Sequence, residues 1–237
     1  MTTIRNINNI TTIHNTNITR LMQFNPNKSF YYFIAIKRKK DHPELQIKES
    51  QVIKTWIVKD LRDFYGYYIP EMLEVIKLHK CRLYMCTDRK SYAKSMLSIR
   101  NDINKQLDCA IGTNKTEYSP KMLNNLLQSN IMKDESSDKD TRKWLFDIDT
   151  KDYSVVNIIK KLCGEYFEHI LETKNGYHIV AKRKFDAYNN LACLTQDKSS
   201  KTFDKSKFTD EEFALMKQNA DKIELKTNAL VLIAMEY

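Results

Sequence analysis

The chain has 237 residues, of which 42% are hydrophobic and 29% charged, and this balance argues against a disordered or membrane-embedded protein. Its length suits one large domain or two small lobes that share a core. Lysine and arginine together number 39 against 30 acidic residues, and the net charge of +9 favours a polyanionic partner such as nucleic acid.

The five cysteines indicate the compartment in which the protein works. No CxxC pair is present, which is typical of reduced thiols in a cytosolic protein rather than of zinc ligands. No apolar run is long enough to span a bilayer. We therefore expect a cytoplasmic location, the host cytoplasm if the source is viral, with no membrane partner.

The first half of the sequence predicts a polar arm followed by an α/β module. Residues 1–28 are polar and irregular, which predicts a flexible, loosely held arm. Residues 29–132 alternate β-branched and aromatic runs with helical spacing, which predicts the module. Its predicted strands are Phe30–Ile36, Gln51–Val58 and Arg82–Cys86, and its predicted helices are Leu61–His79, kinked or divided by Pro70, and Tyr92–Leu107.

The second half begins after a polar run at 133–141, which predicts a surface loop between lobes. Residues 142–237 interleave strands and helices, which favours a mixed α/β sheet covered by helices. The predicted elements are strand Lys143–Asp149, helix Tyr153–Tyr166, strands His169–Thr173 and Tyr177–Lys182, helix Ala187–Cys193, a loop at 195–209 and helix Phe213–Gln218. The last two predicted strands, Lys222–Leu225 and Ala229–Ala234, have the spacing of a closing hairpin.

The strongest functional pattern is the pair of carboxylates Asp147 and Asp149 at the end of an apolar strand. Side chains two residues apart on a strand point to the same face, so these acids are expected side by side. Adjacent anions repel unless a cation lies between them, and oxygen ligands suit Mg²⁺ or Mn²⁺. The pair predicts a site for two-metal phosphoryl displacement, although an acidic turn that ends a strand has the same pattern.

The second pattern is the segment TKNGYH, which runs from Thr173 to His178. Gly176 allows a positive φ and lets backbone amides approach a ligand closely. Thr173 and Asn175 offer uncharged donors, Lys174 offers a point charge, and His178 can donate to a phosphate oxygen. The segment predicts a phosphate-handling loop, with an ordinary hairpin and a structural histidine as the alternative.

Together, FDID and TKNGYH resemble the motifs of the archaeo-eukaryotic primase superfamily, which includes phage and plasmid primase-polymerases. The resemblance implies an RRM-like catalytic sheet packed against an N-terminal α/β module, the two sharing one core over about residues 30–237. It also implies that Asp147 and Asp149 bind metal, with a third catalytic carboxylate on a late strand. Glu224 is the candidate for that carboxylate and Asp221 the alternative.

The same resemblance implies roles for the TKNGYH segment and for the reaction. The nucleotide-binding residues would be Thr173, Lys174, Asn175, Gly176 and His178, although many members have serine where this chain has Gly176. The implied activity is template-dependent nucleotidyl transfer by a DNA primase or DNA polymerase in phage or plasmid replication. Mg²⁺ or Mn²⁺ would be the cofactor, and the partners would be single-stranded DNA, nucleoside triphosphates and a helicase on a separate chain.

Basic residues outside these motifs are expected to contact nucleic acid, namely Arg82, Arg89, Lys182 and Arg183. Surface charge without such a role is the alternative for each. Two other function classes stay open. FDxET, the opening motif of DEDD-type 3′–5′ exonucleases, resembles residues 146–150, but His178 lacks the aspartate that those enzymes need four or five residues later. The other class is a catalytically inactive relative that binds nucleic acid or nucleotides.

Overall fold

Two antiparallel sheets with helices packed on them make up the fold, which confirms the predicted mixed α/β class. The computed structural model describes residues 10–12, 21–43, 50–113, 120–196 and 198–236. The strands are β1 (Ile10–Thr12), β2 (Ser29–Lys37), β3 (Gln51–Val58), β4 (Arg82–Cys86), β5 (Lys90–Ser91), β6 (Lys143–Ile148), β7 (Phe167–Glu172), β8 (Tyr177–Lys182), β9 (Ile223–Thr227) and β10 (Leu230–Glu236).

The helices follow the predicted order. They are α1 (Leu61–Asp63), α2 (Ile69–His79), α3 (Tyr92–Thr113), α4 (Pro120–Ile131), α5 (Tyr153–Cys163), α6 (Ala187–Thr195) and α7 (Asp210–Gln218). A π-helical turn, Phe64–Tyr68, joins α1 to α2. Pro70 lies in the first turn of α2, where a missing N–H is tolerated, so it divides the helical run as predicted.

The first sheet has the strand order β1-β10-β4-β2-β3, and β5 pairs with the start of β2. Its central strand β2 is almost wholly buried, with Phe30, Tyr31 and Phe33 among the largest inaccessible side chains. The core around these rings also contains Leu145 and Val180 from the second sheet. The two sheets therefore share one core.

The second sheet has the order β7-β8-β6-β9, and its strands are connected as β-α-β-β-α-β, the arrangement of a split βαβ unit. Phe146 and Ile148 of β6 pack into a separate core with α5, α6 and α7. Because side chains alternate along a strand, Leu145 and Asp147 point to the opposite face, which meets the first sheet. A closer likeness to an RRM domain remains a prediction.

The two last strands do not form the predicted hairpin. β9 pairs with β6 in the second sheet, whereas β10 pairs with β4 and β1 in the first. β10 thus lies outside the module expected over 142–237. The physical reason is that Val231, Leu232 and Ile233 are all buried, so β10 is apolar on both faces and suits a central strand.

The N-terminal arm is held more firmly than its composition predicted, wherever the structure describes it. Ile10–Thr12 pairs antiparallel with β10. Leu21 and Met22 are buried in the first core. The hydroxyl of Tyr31 donates to the carbonyl oxygen of Leu21 at 3.0 Å, and this bond ties the arm to the central strand. The expectation of a loose arm is therefore wrong for these residues.

A buried lysine anchors the passage of the chain from one sheet to the other. Only Asn228 and Ala229 separate β9 from β10, and Asn228 adopts a left-handed φ of 50°. The fully buried ammonium of Lys90 donates to the side-chain oxygen of Asn228 and, at 2.8 Å, to the hydroxyl of Ser137. The amide of Thr87 donates to the carbonyl oxygen of Ala229 at 2.9 Å. These bonds fix where β10 enters the first sheet.

Substitutions of Asn228 should separate its two contributions. Asn228→Gly keeps the left-handed backbone but leaves Lys90 without an acceptor, which should lower the free energy of unfolding by about 1–3 kcal/mol. Asn228→Ala adds the strain of a Cβ at positive φ and should cost about 1 kcal/mol more. Urea denaturation of both variants measures the difference. Native-like stability of Asn228→Gly would contradict the anchoring role of Lys90.

Candidate active site

Three of the predicted site residues lie side by side across the second sheet. Asp147 on β6 is directly opposite His178 on β8 and directly opposite Glu224 on β9. Residues directly opposite in an antiparallel sheet share a face, so the imidazole and both carboxylates lie together. The face is the one that meets the first sheet. The sequence-derived expectation that His178 and Asp147 meet thus agrees with the geometry.

Asp147 is the hub of this row because each of its oxygens has a partner. Its Oδ1 lies 3.2 Å from Nε2 of His178, and its Oδ2 accepts a hydrogen bond of 2.6 Å from Nζ of Lys226. The same Nζ lies 2.9 Å from Oε2 of Glu224. Lys226 therefore bridges the two carboxylates of neighbouring strands.

Sequence analysis missed Lys226, although a signal for it was present. Lys226 follows Glu224 by two residues on β9, so the alternation that pairs Asp147 with Asp149 also places Lys226 on the face of Glu224. What the sequence did not contain was the register of β9 against β6. That register brings the lysine within reach of Asp147 as well as of Glu224.

Ion pairing dominates the electrostatics of the row. Burial by itself would raise the pKa of Asp147, but hydrogen bonds from His178 and Lys226 outweigh it and hold that pKa well below its ordinary value. Burial would lower the pKa of Lys226, but its hydrogen bonds to Asp147 and Glu224 raise it above its ordinary value. Both shifts favour the charged forms, so the bridge between strands is ionic.

The depressed pKa of Asp147 predicts a dependence of stability on pH. Its carboxylate contributes stability that is fully present above its ordinary pKa of about 4 and is lost as the pH falls towards the lower folded value. Below about pH 4, the native protein should therefore lose free energy of unfolding relative to Asp147→Asn. Urea denaturation of both proteins across this range measures the difference, and a constant difference at every pH would contradict the ion pairs.

The other acids of the prediction lie apart from this row. Asp149 follows the end of β6 and is exposed, and its amide donates to the carbonyl oxygen of Lys222 at 2.8 Å. Asp221 is exposed in the short turn before β9, so the geometry favours Glu224 over Asp221 as the third carboxylate. Within the residues that the structure describes, no three His, Cys, Asp or Glu side chains form a group able to hold a metal.

Two carboxylates remain that fit a divalent cation. Mg²⁺ commonly binds through one or two carboxylates and completes its coordination with water and substrate phosphates. Asp147 and Glu224 already hold one cation between them, the ammonium of Lys226, at 2.6 and 2.9 Å. The donor chemistry of the pair therefore suits Mg²⁺ or Mn²⁺. The expected cluster that included Asp149 is not formed.

The TKNG segment is a tight turn between β7 and β8 that satisfies its own polar groups. The amide of Thr173 donates to the carbonyl oxygen of Gly176 at 2.8 Å, and the amide of Gly176 donates to the Thr173 hydroxyl at 3.1 Å. Lys174 and Asn175 are exposed at its tip. The Gly176 amide is therefore used within the turn, whereas the side chain of Lys174 reaches solvent.

Glycine at position 176 is required for a reason other than the predicted one. Gly176 has no positive φ. A Cβ built on it would lie 1.7 Å from the carbonyl oxygen of Ile148 and 2.9 Å from the amide nitrogen of Thr150. The turn is thus pressed against the end of β6, directly beside the strand that carries Asp147. The expectation of a left-handed glycine is wrong, and close backbone approach takes its place.

Gly176→Ala should therefore be strongly destabilising. A methyl group cannot fit against the backbone of Ile148 without moving the turn, and we expect a loss of at least about 2 kcal/mol in free energy of unfolding. Gly66→Ala is the matched control, because no atom lies within 4 Å of its added Cβ. The control should be neutral or stabilising by up to about 1 kcal/mol. Chemical denaturation measures both, and equal stability of the two variants would refute the close approach.

The basic residues predicted to contact nucleic acid divide into two groups. Arg82 forms two hydrogen bonds with Asp41, and Arg89 pairs with Asp138 at 2.9 Å; each arginine side chain is only 11% exposed. Their placement is structural, which corrects the prediction for both, because neighbouring carboxylates already neutralise them. The other two basic residues are considered next.

Arg183 and Lys182 lie at the end of β8. Arg183 donates to Asp134 at 2.9 Å, and its guanidinium lies 4.8 Å from the ring centre of Trp144. These contacts hold Arg183 in place between the strand and the preceding loop. Lys182 is exposed. Of the four predicted residues, Lys182 is thus the one whose charge faces solvent.

Comparisons with known proteins leave the resemblance to rest on the motifs. No family model, curated protein or solved structure matches this chain. Among the described residues, no helix has both the length and the apolar character needed to cross a bilayer.

Proposed function

We propose that this chain is a template-dependent nucleotidyltransferase, a DNA primase or DNA polymerase of phage or plasmid replication. The observation that carries the proposal is the row of Asp147, His178 and Glu224 on one face of the second sheet. The motif resemblance implies these three residues as one site, and their sequence separation alone would not bring them together. The substrates would be nucleoside triphosphates paired to a single-stranded DNA template.

Each side chain of the row has a defined task in this proposal. Asp147 and Glu224 supply the negative charge that holds Mg²⁺ or Mn²⁺. When bound, the ion would neutralise phosphate charge and favour ionisation of the attacking hydroxyl. His178, whose Nε2 lies 3.2 Å from Asp147, fixes the orientation of that carboxylate. The exposed Lys174, at the tip of the adjoining turn, would neutralise charge on the triphosphate.

The wider surface supports a polyanionic template. The net charge of +9 attracts nucleic acid in a salt-dependent manner, and Lys182 presents an exposed ammonium on the strand of His178. Single-stranded DNA is the proposed template, and a helicase on a separate chain is the proposed replication partner.

A second candidate is a relative that binds nucleic acid or nucleotides without catalysis. The observation in its favour is that Lys226 already neutralises Asp147 and Glu224. A row whose charges are balanced internally can be structural. The two candidates differ in a single measurable property, which is turnover in the presence of a divalent ion.

Nucleotide incorporation tests the proposal. The full chain is incubated with a single-stranded template, labelled nucleotides and Mn²⁺ or Mg²⁺. Asp147→Asn and Glu224→Gln should each lower incorporation by about 100-fold or more, since even second-sphere changes at metal sites cost about 10–100-fold. Asp221→Asn is the matched control, because this exposed acid lies outside the row, and it should retain native activity.

Three outcomes separate the candidates. Loss in the first two variants with activity in the control supports the transferase. Activity that survives both Asp147→Asn and Glu224→Gln refutes the assignment of the row. Template or nucleotide binding by the native protein without incorporation under any ion favours the non-catalytic candidate.

A further inference from the structure

The ammonium of Lys226 occupies the position between the two carboxylates where a shared metal ion would bind. It lies 2.6 Å from Oδ2 of Asp147 and 2.9 Å from Oε2 of Glu224, on two adjacent strands. Both contacts are short, and the hydrogen bonds to the carboxylates strengthen the charge on the lysine. Lys226 is therefore a cation that the chain itself supplies to its proposed metal site.

A divalent ion and this ammonium cannot share the same oxygens. Mg²⁺ requires oxygen ligands at about 2.0–2.1 Å in near-octahedral geometry, which leaves no room for an ammonium between them. Binding of the ion must therefore break both ion pairs of Lys226. The free energy of these pairs is subtracted from the affinity of the site for the ion.

The surroundings of Lys226 permit this exchange. Its side chain is 35% exposed and that of Glu224 is 69% exposed, so solvent reaches the bridge. Lysine has a long, flexible stem and a strongly hydrated head, so the ammonium can move into water without leaving a buried charge behind. Asp147, held by His178 on its other oxygen, would stay in place during the exchange.

We propose that Lys226 is a tethered competitor of the divalent cation, which closes the site between Asp147 and Glu224 until an ion displaces it. This inference rests on the proposed metal-dependent function and adds a regulating residue to it. Removal of the ammonium should open the carboxylate pair and tighten ion binding. The same removal would leave affinity unchanged, or weaken it, if Lys226 had only a structural role.

Binding of Mn²⁺ to the full chain, followed by the paramagnetic resonance signal of the free ion, tests this directly and requires no catalysis. Lys226→Met should lower the dissociation constant for Mn²⁺ by about tenfold or more, since two charge-assisted contacts no longer oppose the ion. Lys222→Met is the matched control: it removes the same charge near β9, but the ammonium of Lys222 donates to Asn219 at 3.1 Å. The control should stay within about twofold of the native value by comparison with the tenfold effect.

Further variants keep the result interpretable. Lys226→Arg retains the charge and should bind Mn²⁺ about as weakly as the native protein. Lys226→Gln replaces Lys226→Met if circular dichroism shows that the methionine variant is unfolded. Asp147→Asn reports whether bound Mn²⁺ uses the row at all.

Each outcome decides between the inference and its premise. Tighter binding in Lys226→Met but not in Lys222→Met supports the competitor. Equal affinity of the native protein and Lys226→Met, with binding abolished by Asp147→Asn, overturns the competitor and leaves the metal site intact. Binding that Asp147→Asn does not change, or no binding by any variant, removes the metal site and the competitor with it.

Discussion

The alternation of side chains along β6 determines where the chemistry of this protein lies. Phe146 and Ile148 are buried against the helices of the second sheet, so the intervening Asp147 must point the other way. That direction leads to the face shared with the first sheet, where Leu145 joins the common core. One strand thus supplies packing to both cores and a carboxylate beside one of them. A shift of one residue would bury the acid among helices.

A carboxylate in that position needs partners, because burial penalises its charge. His178 and Lys226 provide them from the strands on either side, and their hydrogen bonds outweigh the cost of burial. The balance leaves the site charged but internally neutralised. It is this balance that makes Lys226 relevant both to stability and to the entry of a metal ion.

The position of β10 connects the proposed site to the rest of the fold. After Lys226 the chain leaves the second sheet within a few residues and enters the first sheet between β4 and β1. Lys90 and Thr87 hold the connecting turn by hydrogen bonds to Asn228 and Ala229. The strand that bears Glu224 and Lys226 is therefore fixed at one end by β6 and at the other by the first sheet.

The sequence by itself determined the helices and strands and the relation of Asp147 to His178, because periodicity and strand alternation are local properties. Only the tertiary structure decided that β9 and β10 separate, that Lys226 bridges two acids, and that carboxylates occupy Arg82 and Arg89. It also decided that Gly176 is needed for backbone contact. Each of these depends on register or packing between segments distant in the chain, and no local pattern of residues encodes which distant strand becomes a neighbour.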